Sequence, residues 1–164
     1  MRKITQRGMP DYVNIFTKGS NSPTYKRIFV QNPTMTLLFS HPLQVRFRDC
    51  DAMGHVNNAV YLTYLEEARF AHWRSIHAGV EAPSVILARI EVDYRKAATF
   101  GDLLEIRILL DRIGTSSLAY RYEILDQSGA LVAEAKSVLV AFDYSANKPV
   151  AIPDDVRARI LNQG

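Results

Sequence analysis

Two aspartates, a glycine, a histidine and two asparagines are gathered in the segment RDCDAMGHVNNAVYLTYLEEAR, residues 48–69. Asp49 and Asp51 supply carboxylates that can attack an electrophile or accept a proton. Asn57 and Asn58 precede a long apolar run, and asparagine side chains commonly cap helices by accepting backbone N–H bonds. The first N–H groups of a helix lack internal acceptors and lie at its positive dipole end, so they can polarise a carbonyl. The segment therefore places carboxylates close in sequence to donors that stabilise an oxyanion.

The elements around this segment decide which of its groups meet. In VRFRDCD, residues 45–51, apolar and basic side chains alternate with the period of a half-buried strand. If that period continues, Asp49 and Asp51 lie on the inner face and Cys50 points to the other side. A carboxylate on an inner face must be paired, hydrogen-bonded or used in chemistry. Gly54 then ends the strand, so we predict a strand, a short turn and a helix in that order.

A single long helix is predicted from about Ala59 to His77. Its apolar residues are Val60, Tyr61, Leu62, Tyr64, Leu65, Ala68, Phe70, Ala71, Trp73 and Ile76. These residues spread around much of the circumference, which favours a helix buried on several sides. At ~1.5 Å per residue the helix is roughly 28 Å long, enough to cross a small domain.

Four antiparallel strands are predicted after the helix. Apolar and polar residues alternate over 90–94, 104–110 and 118–124, and a longer run covers 131–142. The pairs Gly101-Asp102, Gly114-Thr115 and Ser128-Gly129 separate these runs as turns, and Pro153 opens a short C-terminal helix. One sheet face and most of the helix are apolar. The simplest packing is the α+β hotdog fold, a long central helix wrapped by a curved antiparallel sheet of about five strands.

The chain divides into two regions by charge and pattern. Residues 1–34 carry six basic side chains and one acidic, a net charge of +5, with no sustained helical or strand period. We predict a basic, poorly ordered N-terminal extension there, with an organelle transit peptide as the alternative. Residues 35–164 carry a net charge of −2 and form the predicted folded domain, so a nucleic-acid partner is not expected. The chain has one cysteine and no window of ~20 apolar residues, which predicts a cytoplasmic protein without a membrane span.

Two segments together resemble a known family. D-C-D-A-M-G-H-V-N-N-A-V-Y-L-T-Y-L-E-E-A-R is similar to the signature of the 4-hydroxybenzoyl-CoA thioesterase-like family of hotdog acyl-CoA thioesterases. The later V-D-Y-R-K-A-A-T-F-G-D-L-L-E-I resembles the strand, turn and strand of that family in order and spacing. The resemblance covers residues 41–142. One departure is that the family often carries a proline where Ala97 or Ala98 stands.

The resemblance implies hydrolysis of an acyl-CoA thioester to a free acid and coenzyme A. Asp51, the second aspartate of the DxD, would be the nucleophile or general base, and the backbone N–H near Asn58 the oxyanion donor. His55 would orient water or contact the thioester. No metal or redox cofactor is implied, and the active sites would lie at the interface of a homodimer or homotetramer. The expected substrate-binding residues are Gly54, Val56, Asn57, Tyr61, Arg95 and Lys96.

Several side chains keep a second interpretation. Arg95 and Lys96 either meet coenzyme A phosphates or form a solvated strand end. Glu66 and Glu67 lie two turns into the helix, where another hotdog branch places its catalytic carboxylate. Glu66 and Arg69 also have the spacing of an ordinary ion pair.

Other classes of protein share parts of the pattern. A non-catalytic acyl-CoA-binding module, a hydratase and an acyl-ACP thioesterase all use the hotdog fold. Cys50 is rejected as the nucleophile because two flanking carboxylates disfavour its thiolate. The DCD triplet resembles a haloacid-dehalogenase phosphatase loop, but Met53 occupies its Thr/Val position. A zinc site is not expected, since His55, His72 and His77 form no recognised ligand cluster with Cys50.

Overall fold

The computed structural model describes residues 35–76 and 84–163. The strands are β1 (Leu37–Gln44), β2 (Ser84–Tyr94), β3 (Leu103–Ile113), β4 (Ser117–Asp126), β5 (Leu131–Asp143) and the short β6 (Lys148–Pro149). The helices are α1 (Asn58–Ile76) and α2 (Asp154–Leu161), and a single 3₁₀ turn covers Phe47–Asp49. The predicted extension, residues 1–34, and the predicted last helical residue, His77, lie outside the described residues.

One antiparallel sheet holds all six strands. The order of its long strands is β1-β3-β4-β5-β2, and β6 pairs with the end of β5. Gly101 and Gly129 have φ values of 89° and 80°, a left-handed conformation that glycine adopts without a side-chain clash. They form the turns predicted before β3 and β5. Five long strands and one long helix confirm the predicted hotdog fold.

Helix α1 buries a single stripe of residues. Its buried side chains are Tyr61, Tyr64, Leu65, Ala68, His72 and Ile76, which recur every three or four residues as one helical face requires. On the opposite side, Leu62 is 40% exposed and Phe70 is 60% exposed. The prediction of a helix buried on several sides is therefore wrong. Within the described part of the chain, no helix is long and apolar enough to cross a membrane.

The chain between β1 and α1 does not continue as a strand. Asp49 donates its N–H to the carbonyl of Arg46 at 3.0 Å, which closes a 3₁₀ turn. Asp49 Oδ2 caps that turn by accepting the backbone N–H of Arg46 at 2.9 Å and its Nε–H at 3.0 Å. Phe47 is consequently 80% exposed, although the alternating pattern had placed it inside. Asp49 is buried and Asp51 is exposed, so the prediction that both share an inner face is wrong.

Candidate functional site

Asp51 stabilises the turn on which it lies. Its backbone N–H donates to the carbonyl of His55 at 2.8 Å, and Gly54 N–H donates to the carbonyl of Asp51 at 3.0 Å. Its side-chain Oδ1 accepts the N–H groups of Met53 at 2.8 Å and His55 at 3.3 Å. Gly54 has a φ of 81°, which the turn requires. Among the described residues, no donor reaches Oδ2, so one carboxylate oxygen of Asp51 is fixed and the other is available.

The N-terminus of α1 leaves one backbone donor unused. Asn57 donates its N–H to the carbonyl of Asp49 at 2.9 Å, and its own carbonyl accepts the N–H of Val60 at 2.9 Å. Its side-chain Oδ1 accepts the N–H of Ala59 at 2.9 Å, which makes Asn57 the cap of the helix, as predicted. No described residue accepts the N–H of Asn58. This N–H is thus free to donate at the positive end of the helix dipole.

The two family-like segments, residues 49–69 and 92–106, meet at the turn that carries Asp51. Cys50 and Val56 form an isolated antiparallel bridge that joins the start of the turn to its end. Val56 donates its N–H to the carbonyl of Ala98 at 2.9 Å, and His55 forms a second bridge with Thr99. Val56 is buried in the core, whereas His55 is exposed. The connection between β2 and β3 therefore clamps the turn that carries Asp51.

Asp49 is a structural carboxylate. Besides its bonds from Arg46, Oδ2 accepts the hydroxyl of Tyr64 at 2.8 Å. Burial acts to raise the pKa of Asp49, but the hydrogen bonds from Arg46 and Tyr64 outweigh it and hold that pKa below its usual range. Burial and the same carboxylate raise the pKa of Tyr64. The sequence signal for this network was the i, i+3 spacing of Arg46 and Asp49.

Arg95 and Lys96 are engaged with acidic side chains. Arg95 Nε donates to Glu134 Oε1 at 2.7 Å. Lys96 Nζ donates to Asp126 Oδ2 at 2.5 Å, and this bond raises the pKa of Lys96 and lowers that of Asp126. Contact with coenzyme A phosphates would compete with these pairs. The geometry thus favours the interpretation of both residues as a solvated strand end.

Tyr61 lies in the core beside the helix N-terminus. It is 3% exposed, and its ring packs edge-on against Tyr64 at 6.0 Å and Tyr94 at 5.1 Å. The hydroxyl of Tyr94 donates to the carbonyl of Asn58 at 2.9 Å. Both tyrosines therefore support the first turn of the helix, and the substrate contact predicted for Tyr61 stays a prediction.

The alternative nucleophile and carboxylates have ordinary surroundings. Cys50 is half-buried, with Sγ 4.0 Å from the carbonyl of Arg46. Glu67 Oε1 lies 3.7 Å from Arg46 Nη2. The ion pair predicted between Glu66 and Arg69 does not form within the described residues, and both side chains instead line a cavity. Residues 35–76 and 84–163 contain no cluster of three or more His, Cys, Asp and Glu side chains placed to hold a metal.

Exposed aromatic and apolar side chains flank the carboxylate turn. The rings of Phe47 and Phe100 meet edge-to-face at 6.0 Å, and both are largely exposed. Met53, within the turn itself, is exposed as well. Sequence reasoning missed this patch because Phe47 was placed in a buried strand. It gives the carboxylate turn an exposed apolar border.

Comparison with known proteins identifies the class. Residues 45–160 match the thioesterase-like superfamily. The chain is 30% identical to the acyl-CoA thioester hydrolase YbgC of Escherichia coli O6:H1, over 75% of this chain and 96% of that protein. It is also 30% identical to the long-chain acyl-CoA thioesterase FadM of Escherichia coli K12, over 72% of this chain and 93% of that protein. A thioesterase of Thermus thermophilus, solved with coenzyme A and Zn, superposes with a TM-score of 0.67 at 32% identity, over 76% and 98% of the two chains.

A curved sheet around one long helix, with a carboxylate turn at the helix N-terminus, defines a hotdog enzyme. The chain belongs to the thioesterase-like superfamily, whose match begins at Val45 and spans the whole site. The predictions of the family and of a thioesterase are thereby confirmed.

Proposed function

We propose that this protein hydrolyses acyl-CoA thioesters, with Asp51 as the reacting carboxylate and the N–H of Asn58 as the oxyanion donor. The observation that carries the proposal is the pattern of used and unused groups. The neighbouring polar groups of the turn and of the helix cap form hydrogen bonds with one another. Asp51 Oδ2 and the Asn58 N–H, in contrast, have no partner among the described residues. The relatives named as acyl-CoA thioesterases support the substrate class.

The reaction needs one carboxylate and one donor. As general base, Asp51 takes a proton from water, and the resulting hydroxide adds to the thioester carbonyl carbon. As nucleophile, Asp51 adds directly and forms an anhydride that water then hydrolyses. In both routes the carbonyl oxygen becomes an oxyanion that accepts the Asn58 N–H. The carbon–sulfur bond breaks, and the thiolate leaves and is protonated, which yields the free acid and coenzyme A.

Asp49 is a poor candidate for the same role. Its Oδ2 accepts three hydrogen bonds and the side chain is buried, so attack would break a satisfied network. His55 is exposed on the same turn as Asp51, and we assign it to orienting the attacking water rather than to holding the fold. Gly54 serves the site through its backbone conformation.

The decisive experiment replaces Asp51 by asparagine. Asparagine forms the same turn because its Oδ1 also accepts the N–H groups of Met53 and His55, but it neither attacks nor accepts a proton. We expect kcat to fall by ~10² or more while binding of acyl-CoA is retained. Thiol release over a panel of acyl-CoAs measures turnover, and calorimetry with a nonhydrolysable analogue measures binding.

A matched control is available at Asp143. Its Oδ1 accepts the N–H groups of Ser145 and Ala146 in an exposed turn after β5, so Asp143→Asn makes the same change in the same kind of turn. We expect that variant to keep full activity. Glu66→Gln and Glu67→Gln should each cost roughly tenfold at most, since neither carboxylate enters the proposed chemistry.

The outcomes separate the alternatives. If Asp51→Asn is active and a glutamate variant is inactive, the catalytic carboxylate is a glutamate of the helix, and the protein is still a hydrolase. Binding without thiol release across the whole panel would favour the non-catalytic binding module. Release from acyl-ACP alone would favour the acyl-ACP thioesterase, and hydration of an enoyl thioester would favour the hydratase.

Metal removal tests the cofactor prediction. Because the proposed steps use only a carboxylate and a backbone donor, kcat should be unchanged after treatment with EDTA and dialysis. Loss of activity that returns only with added Zn²⁺ would contradict the proposed mechanism.

A further inference from the structure

A cavity of about 420 Å³ lies between the exposed side of α1 and the sheet. Arg69 and Trp73 form its wall on the helix, Leu87 its wall on β2, and Tyr120 its wall on β4. Tyr144, after β5, lines it as well. The cavity exists because α1 buries its other side, as the exposure of Leu62 and Phe70 showed. Its surface combines apolar and aromatic side chains with a few polar groups, which is the composition of a small-molecule site.

The cavity lies on the helix face that begins at Asn58, whose N–H is the proposed oxyanion donor. Leu62, Glu66 and Arg69 follow Asn58 by 4, 8 and 11 residues, which keeps all of them on one face. Eleven residues of helix rise ~16 Å. A thioester whose carbonyl accepts the Asn58 N–H can therefore extend its acyl group along α1 into the cavity.

Two residues that line the cavity each carry a buried polar atom without a partner among the described residues. Tyr120 is 1% exposed, and neither its hydroxyl nor Nη1 of Arg69 forms a hydrogen bond with any described residue. Buried polar groups in native proteins are almost always hydrogen-bonded, so an unused pair requires an explanation. The neighbouring buried hydroxyl of Tyr122 shows the usual arrangement, because it lies 2.8 Å from Ser137 Oγ.

The two groups belong to one cluster, and both can donate a hydrogen bond. Burial raises the pKa of Tyr120, so its hydroxyl is neutral and can donate. The charge of the Arg69 guanidinium opposes the rise that burial causes in the pKa of Tyr120 and of Tyr122, and a side-chain hydrogen bond with Arg69 lowers the pKa of Tyr122 further. Arg69 is half-buried and ends in rotatable torsions, so it can turn Nη1 towards the cavity. Both groups lack the same thing, an acceptor oxygen.

We propose that Arg69 and Tyr120 bind an oxygen carried by the distal part of the acyl group, either a hydroxyl or a carboxylate. This inference rests on the proposed function, since it names the substrate class of that site. The apolar part of the acyl group lies along Leu62 and against Trp73 and Leu87. Glu66, on the same wall, repels a carboxylate but not a hydroxyl, so the two sources of the oxygen are distinguishable.

Binding of nonhydrolysable analogues tests the subsite without any chemistry. Three S-alkyl thioethers of coenzyme A with equal chain length would end in a methyl, a hydroxyl or a carboxylate. We expect at least one oxygen-bearing analogue to bind about tenfold more tightly than the methyl-ended one, as one good hydrogen bond allows. Tyr120→Phe and Arg69→Lys should each remove most of that preference and leave the affinity for the methyl-ended analogue within about twofold.

Tyr64→Phe is the matched control, because it deletes an equally buried hydroxyl that does have a partner, Asp49 Oδ2, and Tyr64 does not line the cavity. We expect Tyr64→Phe to lower the melting temperature without changing the preference. Tyr120→Phe should not lower it, since no hydrogen bond is lost. Equal affinity of the wild-type protein for all three analogues, or a preference that survives both Tyr120→Phe and Arg69→Lys, would overturn the proposal.

Binding and hydrolysis measured together distinguish the oxygen subsite from the thioesterase function on which it rests. Hydrolysis of unmodified acyl-CoAs without any binding preference for oxygen would contradict the subsite and support the thioesterase. Binding of the analogues with the expected preference, but without hydrolysis of any acyl-CoA, would support the subsite and contradict the hydrolase function.

Discussion

Asp49 and Asp51 are separated by one residue and meet opposite environments. Asp49 is buried and accepts three hydrogen bonds from Arg46 and Tyr64. Asp51 is exposed and its side chain binds only backbone N–H groups of its own turn. A buried carboxylate whose hydrogen bonds are satisfied has a structural role. An exposed carboxylate with one oxygen available can take part in a reaction. This difference depends on a 3₁₀ turn that strand periodicity does not reveal.

Tyr64→Phe tests the structural role of Asp49. The folded-state pKa of Asp49 is lowered, so its contribution to stability is complete above its unfolded pKa of about 3.9 and is lost as the pH falls through the lower folded value. Removing the Tyr64 hydroxyl should lower the free energy of unfolding by about 1–2 kcal/mol at pH 7. The loss should shrink as the pH falls below the unfolded pKa. Urea titrations of both proteins across this pH range measure the effect.

Tyr94→Phe is the control for that measurement. Its hydroxyl donates to the carbonyl of Asn58, which does not titrate, so its effect on stability should be independent of pH. If the stabilities of Tyr64→Phe and Tyr94→Phe respond to pH in the same way, Asp49 is not the source of the pH dependence.

At the scale of elements, the long periodic segments were predictable and the irregular one was not. The predicted helix from about Ala59 agrees with α1, and the runs after it lie within β2 to β5, although β2 begins at Ser84, ahead of the run predicted from Ile90. β1 was missed because LLFSHPLQ contains Pro42 and lacks clean alternation. Residues 45–51 had the alternation without the strand, since side-chain bonds to Asp49 outweighed it. For the site, sequence resemblance indicated Asp51, while the apolar patch and the unpaired Tyr120 required the packed structure.

Asn57→Ala should affect both the helix and the reaction. The substitution removes the acceptor for the Ala59 N–H, which should lower the free energy of unfolding by ~1 kcal/mol. The uncapped first turn would also orient the Asn58 N–H less well, so kcat should fall more than KM changes. Chemical denaturation and steady-state kinetics on one preparation measure both effects.

Asn57→Asp provides the rescue for that variant. Aspartate caps helices as well as asparagine does, so stability should return. Asn57→Ala with wild-type kcat would show that the Asn58 N–H is not the oxyanion donor, even if stability falls as expected.

At the scale of the molecule, the predicted extension remains to be tested. Because the sequence of residues 1–34 is basic, has no sustained helical or strand period and lies outside the two family-like segments, a chain that begins at Met35 should fold and keep its activity. Circular dichroism, thermal denaturation and thiol release from acyl-CoA compare it with the full chain. Failure of the shorter chain to fold would show that the extension is part of the domain.

The sheet has two edges of unequal character. β1 is the shorter edge strand and contains Pro42, which blunts pairing with another chain. β2 is an 11-residue edge strand without proline, and most of its residues are exposed or half-exposed. Among the described residues no strand covers this long edge, which favours pairing with a second copy. The predicted homodimer, or a tetramer built from it, should therefore form along β2.

Ala88→Pro tests that interface while sparing the fold. The register between β2 and β5 passes from Leu87 to Arg89 and skips Ala88, so this residue forms no pair within the sheet. Proline there removes an N–H and places a ring at the free edge, which should block pairing between chains. Sedimentation equilibrium should show a dimer or tetramer for the wild-type protein and for Ala88→Ser, and a monomer for Ala88→Pro with unchanged circular dichroism. A wild-type protein that is monomeric and fully active would refute assembly along β2, because the site would then be complete in one chain.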